Sequence, residues 1–110
     1  MRLSSLVVCA APAVIAVTVG GCVSLENVAP PVTPAMTGHG ASLAMLNEGR
    51  RVFAGPCTAC HTADPVSKHG LAEWHDIVDD MAPRAKLDLT RRAALLAYIT
   101  AVKSAPVPGP

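Results

Sequence analysis

Cys57-Thr58-Ala59-Cys60-His61 brings two thiols and an imidazole together within five residues of a 110-residue chain. Two cysteines two apart, with a histidine directly after the second, form the attachment signature of a c-type haem. The spacing has a physical reason. Both thiols must reach the two vinyl carbons along one edge of the porphyrin and close thioethers there. The histidine, fixed beside the second anchor, then turns under the ring and offers a nitrogen to the iron. Other chemistries use parts of this pattern. A thioredoxin-like redox pair wants a strand before it and a βαβ context, and nothing around Cys57 reads that way. A structural zinc site needs about four ligands, usually from a second Cys/His pair. No second CxxC exists, and His39, His69 and His75 do not fall at a finger-like spacing. A plain disulfide between Cys57 and Cys60 is the third alternative.

The elements that must position this motif occupy little of the chain. One Phe, one Trp and one Tyr make aromatics scarce, and much of the apolar content lies in the first twenty residues. The folded part therefore has a modest core, for which one covalently bound haem would act as a staple. A net charge of +1 gives no nucleic-acid footprint.

Residues 1–21 read as an export signal. Arg2 is followed by the uncharged apolar run Leu6 to Val19, which falls short of the about 20 residues a bilayer span requires. The run ends in Val19-Gly20-Gly21-Cys22, which resembles the lipobox of bacterial lipoproteins, where the cysteine is diacylated and becomes the new N-terminus. Cysteine arithmetic agrees. Cys9 leaves with the signal, Cys57 and Cys60 go to the haem, and Cys22 is the odd thiol that lipidation explains. The expected location is the periplasm, anchored to a bacterial membrane through Cys22, or soluble there if the lipid is absent. From 22 to 42 the chain carries Pro30, Pro31 and Pro34 and shows no hydrophobic period. It reads as a tether, able to hold the domain up to roughly 60 Å from the membrane at about 3.1 Å per extended residue.

The expected domain, residues 43–103, is all-α, with about three helices. In the first, Leu43 to Phe53, residues Met45, Leu46, Gly49, Val52 and Phe53 share one side. Gly49 costs about 1 kcal/mol relative to Ala in mid-helix, and such a glycine marks a close approach of another backbone. Gly55-Pro56 ends the helix before the motif, and Thr62 to Gly70 reads as a loop. Leu71 to Met81 forms the second helix, with Leu71, Trp74, Val78 and Met81 on one stripe and Glu73, Asp76 and Asp80 facing away. Pro83 limits it. The third runs from about Thr90 to Lys103, capped by Asp88 or Thr90, on a stripe of Leu95, Tyr98, Ile99 and Val102. Residues 104–110 form a frayed tail.

Gly49, Phe53 and Cys57, four apart, resemble the first helix and haem motif of class I cytochrome c. Leu95-Leu96-Ala97-Tyr98 is similar to that family's closing helix. The resemblance covers residues 43–103. It implies a small cytochrome c-like bundle around one haem c, in which the first helix crosses the last at the glycine and an aromatic of the last helix fills the gap. It also implies a methionine C-terminal to the motif as the second axial ligand of the iron, opposite His61. Met81 is the candidate, with His75 or His69 as the fallback; Met36 lies in the tether and Met45 upstream. His61 and Met81 are 81 − 61 = 20 positions apart, fewer than is typical of the family. Pro65 is a candidate carbonyl for the proximal imidazole N–H, and Trp74 is either core or a donor to a haem propionate.

With both axial positions filled the iron has no place for substrate, which points to an electron carrier between protein redox partners rather than an enzyme. Glu73, Asp76, Asp79 and Asp80 read as a solvated face without an acid/base constellation. An iron left five-coordinate would instead bind a diatomic gas or act as a peroxidase. A haem subunit of a larger oxidoreductase is the third possibility.

Overall fold

The computed structural model describes residues 25–105, which form an all-α globule with no strand among the described residues. Among the described residues four α-helices follow one another: α1 Leu25–Val28, α2 Leu43–Ala54, α3 Leu71–Arg84 and α4 Leu89–Ser104. Short 3-10 helices cover Pro34–His39, Pro56–Thr58 and Val66–Lys68. Residues 1–21, with Cys22 and the tail beyond 105, lie outside the described residues.

Helix α2 begins where its sequence says it should. The Ser42 hydroxyl accepts from the Met45 N–H at 3.1 Å and satisfies one of the orphan donors of the first turn. Leu46, Gly49, Val52 and Phe53 are buried, as their spacing predicts. Asp88 caps α4 through its carboxylate, 2.8 Å from the Arg91 N–H. The buried face of α4 is Ala94, Leu95, Tyr98, Ile99 and Ala101.

The two long faces meet at Gly49. A Cβ there would stand 2.6 Å from Tyr98 Cβ and 2.8 Å from the Ala94 carbonyl carbon, so only glycine permits this crossing. Phe53 lies against Tyr98 with ring centroids 6.2 Å apart, and against Trp74 edge-on at 5.7 Å. These three rings tie α2, α3 and α4 into one core.

Two expectations are corrected. Pro83 does not stop α3, which runs on to Arg84. A proline's fixed φ suits a helix, and in the last turn it forfeits a single N–H bond. The stop comes two residues beyond the helix, at Lys86, whose φ is +54°. Leu87 N–H then bonds the Ala82 carbonyl at 2.9 Å and Lys86 N–H the Pro83 carbonyl at 3.2 Å. This is a Schellman motif with lysine where glycine is usual.

The second correction concerns the tether. Within its expected span, Val28, Ala29 and Met36 are buried. Val28 and Ala29 belong to the main core, and Met36 packs with Leu46 and Ala101 in a second cluster. Arg50 Nε donates to the Ala29 and Pro30 carbonyls at 3.0 and 3.2 Å, and the Tyr98 hydroxyl donates to Pro30 at 2.7 Å. Desolvation pushes the Tyr98 phenol up to about 12, against the pull of Arg50. Extended Pro-rich backbone cannot pair with itself. It satisfies its carbonyls on side chains of α2 and α4 instead.

Candidate functional site

The CxxCH motif hangs from the end of α2. Gly55 N–H closes onto the Arg51 carbonyl at 2.9 Å, and Pro56–Thr58 continues as a 3-10 turn. Thr58, between the cysteines, donates its hydroxyl to the Ala54 carbonyl at 2.8 Å and fastens the motif to the helix it follows. Cys57 is half-buried and Cys60 exposed, and neither forms a disulfide. Burial raises the Cys57 thiol above its ordinary range, and the nearby Arg91 charge opposes that rise.

Cys57, Cys60, His61 and Met81 all line one cavity of about 560 Å³. Its wall is otherwise largely apolar, drawing Phe53 from α2, Trp74, Ile77, Val78 and Ala82 from α3, and Leu95 and Ile99 from α4. Met81 is half-buried on α3, one turn from the buried Val78. The Schellman turn supplies Ala85 and Leu87 to the same wall. Two thiols, an imidazole and a thioether thus converge on an apolar space of the size that takes a small organic cofactor.

His61 is exposed, with Nδ1 3.1 Å from the Thr62 carbonyl. When Nδ1 carries the proton it donates there, and Nε2 keeps its lone pair for a metal. Pro65, the carbonyl expected in this role, accepts instead from Lys68 N–H at 2.9 Å. The Trp74 indole donates to the Val66 carbonyl at 2.8 Å, and the ring is buried. It is a core residue, and its donor is already engaged within the protein.

The two fallback ligands separate from Met81. His75 is exposed and does not line the cavity. It sits on the outward side of α3. His69 does line the cavity, but both of its ring nitrogens face carboxylates, Nε2 to Asp64 and Nδ1 to Glu73, each at 2.8 Å. Only an imidazolium donates from both nitrogens. The hydrogen bond that His69 donates to Asp64, helped by Glu73 and opposed by desolvation, raises the His69 pKa above its ordinary value, and Lys68 and His69 together lower that of Asp64. His69 also stands edge-on to Trp74, with centroids 5.2 Å apart. It is a brace between the loop and α3.

This carboxylate–imidazole–carboxylate group is the feature that sequence reasoning missed. His69 and Glu73 are at i,i+4 spacing, a visible signal, whereas Asp64 joins them only through the turn at Val66–Lys68. Glu73 remains on the exposed side of α3, as expected, while holding His69 Nδ1. Asp79 and Asp80, on the outer face as expected, pair with Arg92 and Arg84. Among the described residues, no three His, Cys, Asp or Glu side chains converge as a chelating cluster. Also among the described residues, no helix is long and apolar enough to cross a membrane. Comparison with protein-family models, with curated proteins and with solved structures finds no match.

Proposed function

We propose that this chain is a membrane-anchored monohaem c-type cytochrome that carries single electrons between protein partners. One observation carries the reading: Cys57, Cys60 and His61, singled out by type and spacing, and Met81, singled out by the resemblance, line the same apolar cavity. The Gly49 crossing, filled by Ala94 and Tyr98, is what a cytochrome c-like bundle would require of these helices.

Cys57 and Cys60 would hold the haem through thioethers, and His61 and Met81 would supply a nitrogen and a sulfur to its iron. When bound, the haem iron supplies a ferric/ferrous couple that takes up and releases one electron. The rest is done by the chain. With Nδ1 protonated, the Thr62 carbonyl holds that N–H and orients the His61 ring. As a ligand, the Met81 thioether, a soft donor, would favour the reduced iron and a higher potential than a second histidine. Apolar residues from three helices exclude water. The imidazole braced between Asp64 and Glu73 has no nitrogen free to move a proton. Export and attachment through lipidated Cys22 would place the protein at the periplasmic side of a bacterial membrane.

The test is to express the full chain in a host competent in cytochrome maturation and to examine the purified protein, oxidised and reduced. Haem that survives denaturation and acid extraction, with no rapid change on adding carbon monoxide, is the expected result. A colourless protein rejects the reading. Prompt carbon monoxide binding assigns a five-coordinate, gas-binding role instead.

A further inference from the structure

We infer that the domain lies flush against the lipid surface, held there by an N-terminal strap, and does not stand off from it on a free tether. The inference rests on the proposed lipidation of Cys22 and on two further observations.

The first is that residues 25–41 belong to the fold. Ala29 is wholly buried, Val28 and Met36 nearly so, and they enter two different core clusters. Arg50 and Tyr98 grip the backbone between them, at the Ala29 and Pro30 carbonyls. Pulling the strap away would expose apolar surface and strip a buried phenol and a guanidinium of their acceptors at one stroke. Nothing in the extended reach of a Pro-rich segment is available while those contacts stand.

The second is chain length. Only Val23 and Ser24 separate Cys22 from Leu25, the first residue of α1. Whatever path they take, three residue steps of at most 3.6 Å span about 10 Å. With acyl chains seated in the bilayer, Leu25 is confined to the headgroup layer or just above it. Leu25, Glu26 and Asn27 are all exposed, and the Leu25 side chain is free to enter that layer. The partner of this face is thus the lipid surface itself. Any protein that exchanges electrons with the domain must reach it there, within one domain's thickness of the membrane.

Two measurements test this on the full mature chain. Amide exchange of the soluble Cys22→Ser variant reads the strap alone. Protection of roughly a hundredfold or more over an unstructured peptide at Ala29 and Met36 is expected. Neutron reflectometry of the lipidated protein on a phosphatidylcholine/phosphatidylethanolamine bilayer reads its position. The expected profile has protein density abutting the headgroups. A water-rich layer should open when a long Gly/Ser segment is inserted between Ser24 and Leu25, and to a lesser extent in Arg50→Ala/Tyr98→Phe. An acylated protein with a freely exchanging strap, or with a water layer already present in the unaltered chain, overturns the inference and leaves the anchor standing. An intact mass without acyl chains overturns the anchor, and the lipid-apposed position with it, even where the strap is protected.

Discussion

Gly49→Ala tests the helix crossing on which the cavity depends. In an isolated helix this change is favourable by about 1 kcal/mol. Here the new methyl would stand 2.6 Å from Tyr98 Cβ and 2.8 Å from the Ala94 carbonyl carbon. Comfortable carbon–carbon contact begins near 3.5 Å, so α4 must withdraw by about 1 Å. Neither obstacle can rotate away, since one is backbone and the other is a Cβ. Overpacking of this kind costs about 1–3 kcal/mol, and a rigid obstacle puts it at the upper end. Subtracting the propensity gain leaves a net loss of about 2 kcal/mol. For a domain of this size that lowers the melting temperature by about 10 °C. Thermal and denaturant unfolding of the holoprotein measure it, with the pair Asn47→Ala and Asn47→Gly, on the exposed side of α2 in mid-helix, as the calibration of propensity alone. If Gly49→Ala melts at or above the parent while Asn47→Gly lies about 1 kcal/mol below Asn47→Ala, the crossing argument is wrong.

Further outcomes follow from the site and its frame. Cys57→Ala or Cys60→Ala should abolish stable holoprotein on haem-stained denaturing gels and in yield; a folded, cooperative apo form would contradict the staple argument. Met81→Ala should remove the weak sulfur-to-iron absorption at the red end of the ferric spectrum, and survival of that band would exclude Met81 as ligand. His69 gains two carboxylate partners on folding, so its folded pKa lies above the 6.5 of the free side chain. Its contribution is full below that value and is lost as pH rises through the folded pKa. Asp64, depressed below 3.8, contributes above that value and loses its contribution as acid titrates it. Melting curves from pH 5 to 8 should therefore decline for the parent and flatten for His69→Gln; parallel curves would reject the brace. Lys86→Gly should stabilise by about 1 kcal/mol, because it relieves a left-handed lysine at the α3 stop. A loss in denaturant unfolding would show that the lysine side chain contributes something the backbone argument omits.

The three long helices are readable because each signal is local. Leu46, Val52 and Phe53 repeat at helical spacing, Asp88 is a capping residue, and Gly49 announces a close neighbour without naming it. The cavity was half readable. The residues that could carry chemistry were visible, but their shared wall depends on how α3 packs, which no spacing encodes. The strap was not readable at all. Its burial comes from Arg50 and Tyr98, 20 and 68 positions away from Pro30, and a Pro-rich segment without periodicity looks the same whether free or docked. Pro83 lies in a last turn and not in a helix interior, and the neighbouring Schellman motif ends the helix there.

The bond from Tyr98 to Pro30 joins positions 68 apart. Loop-closure entropy makes such a contact a late event, formed once α2 and α4 have already found each other. For a chain emerging in order from its N-terminus, the stretch made first must wait, extended and unsatisfied, until the helix made much later arrives to receive it.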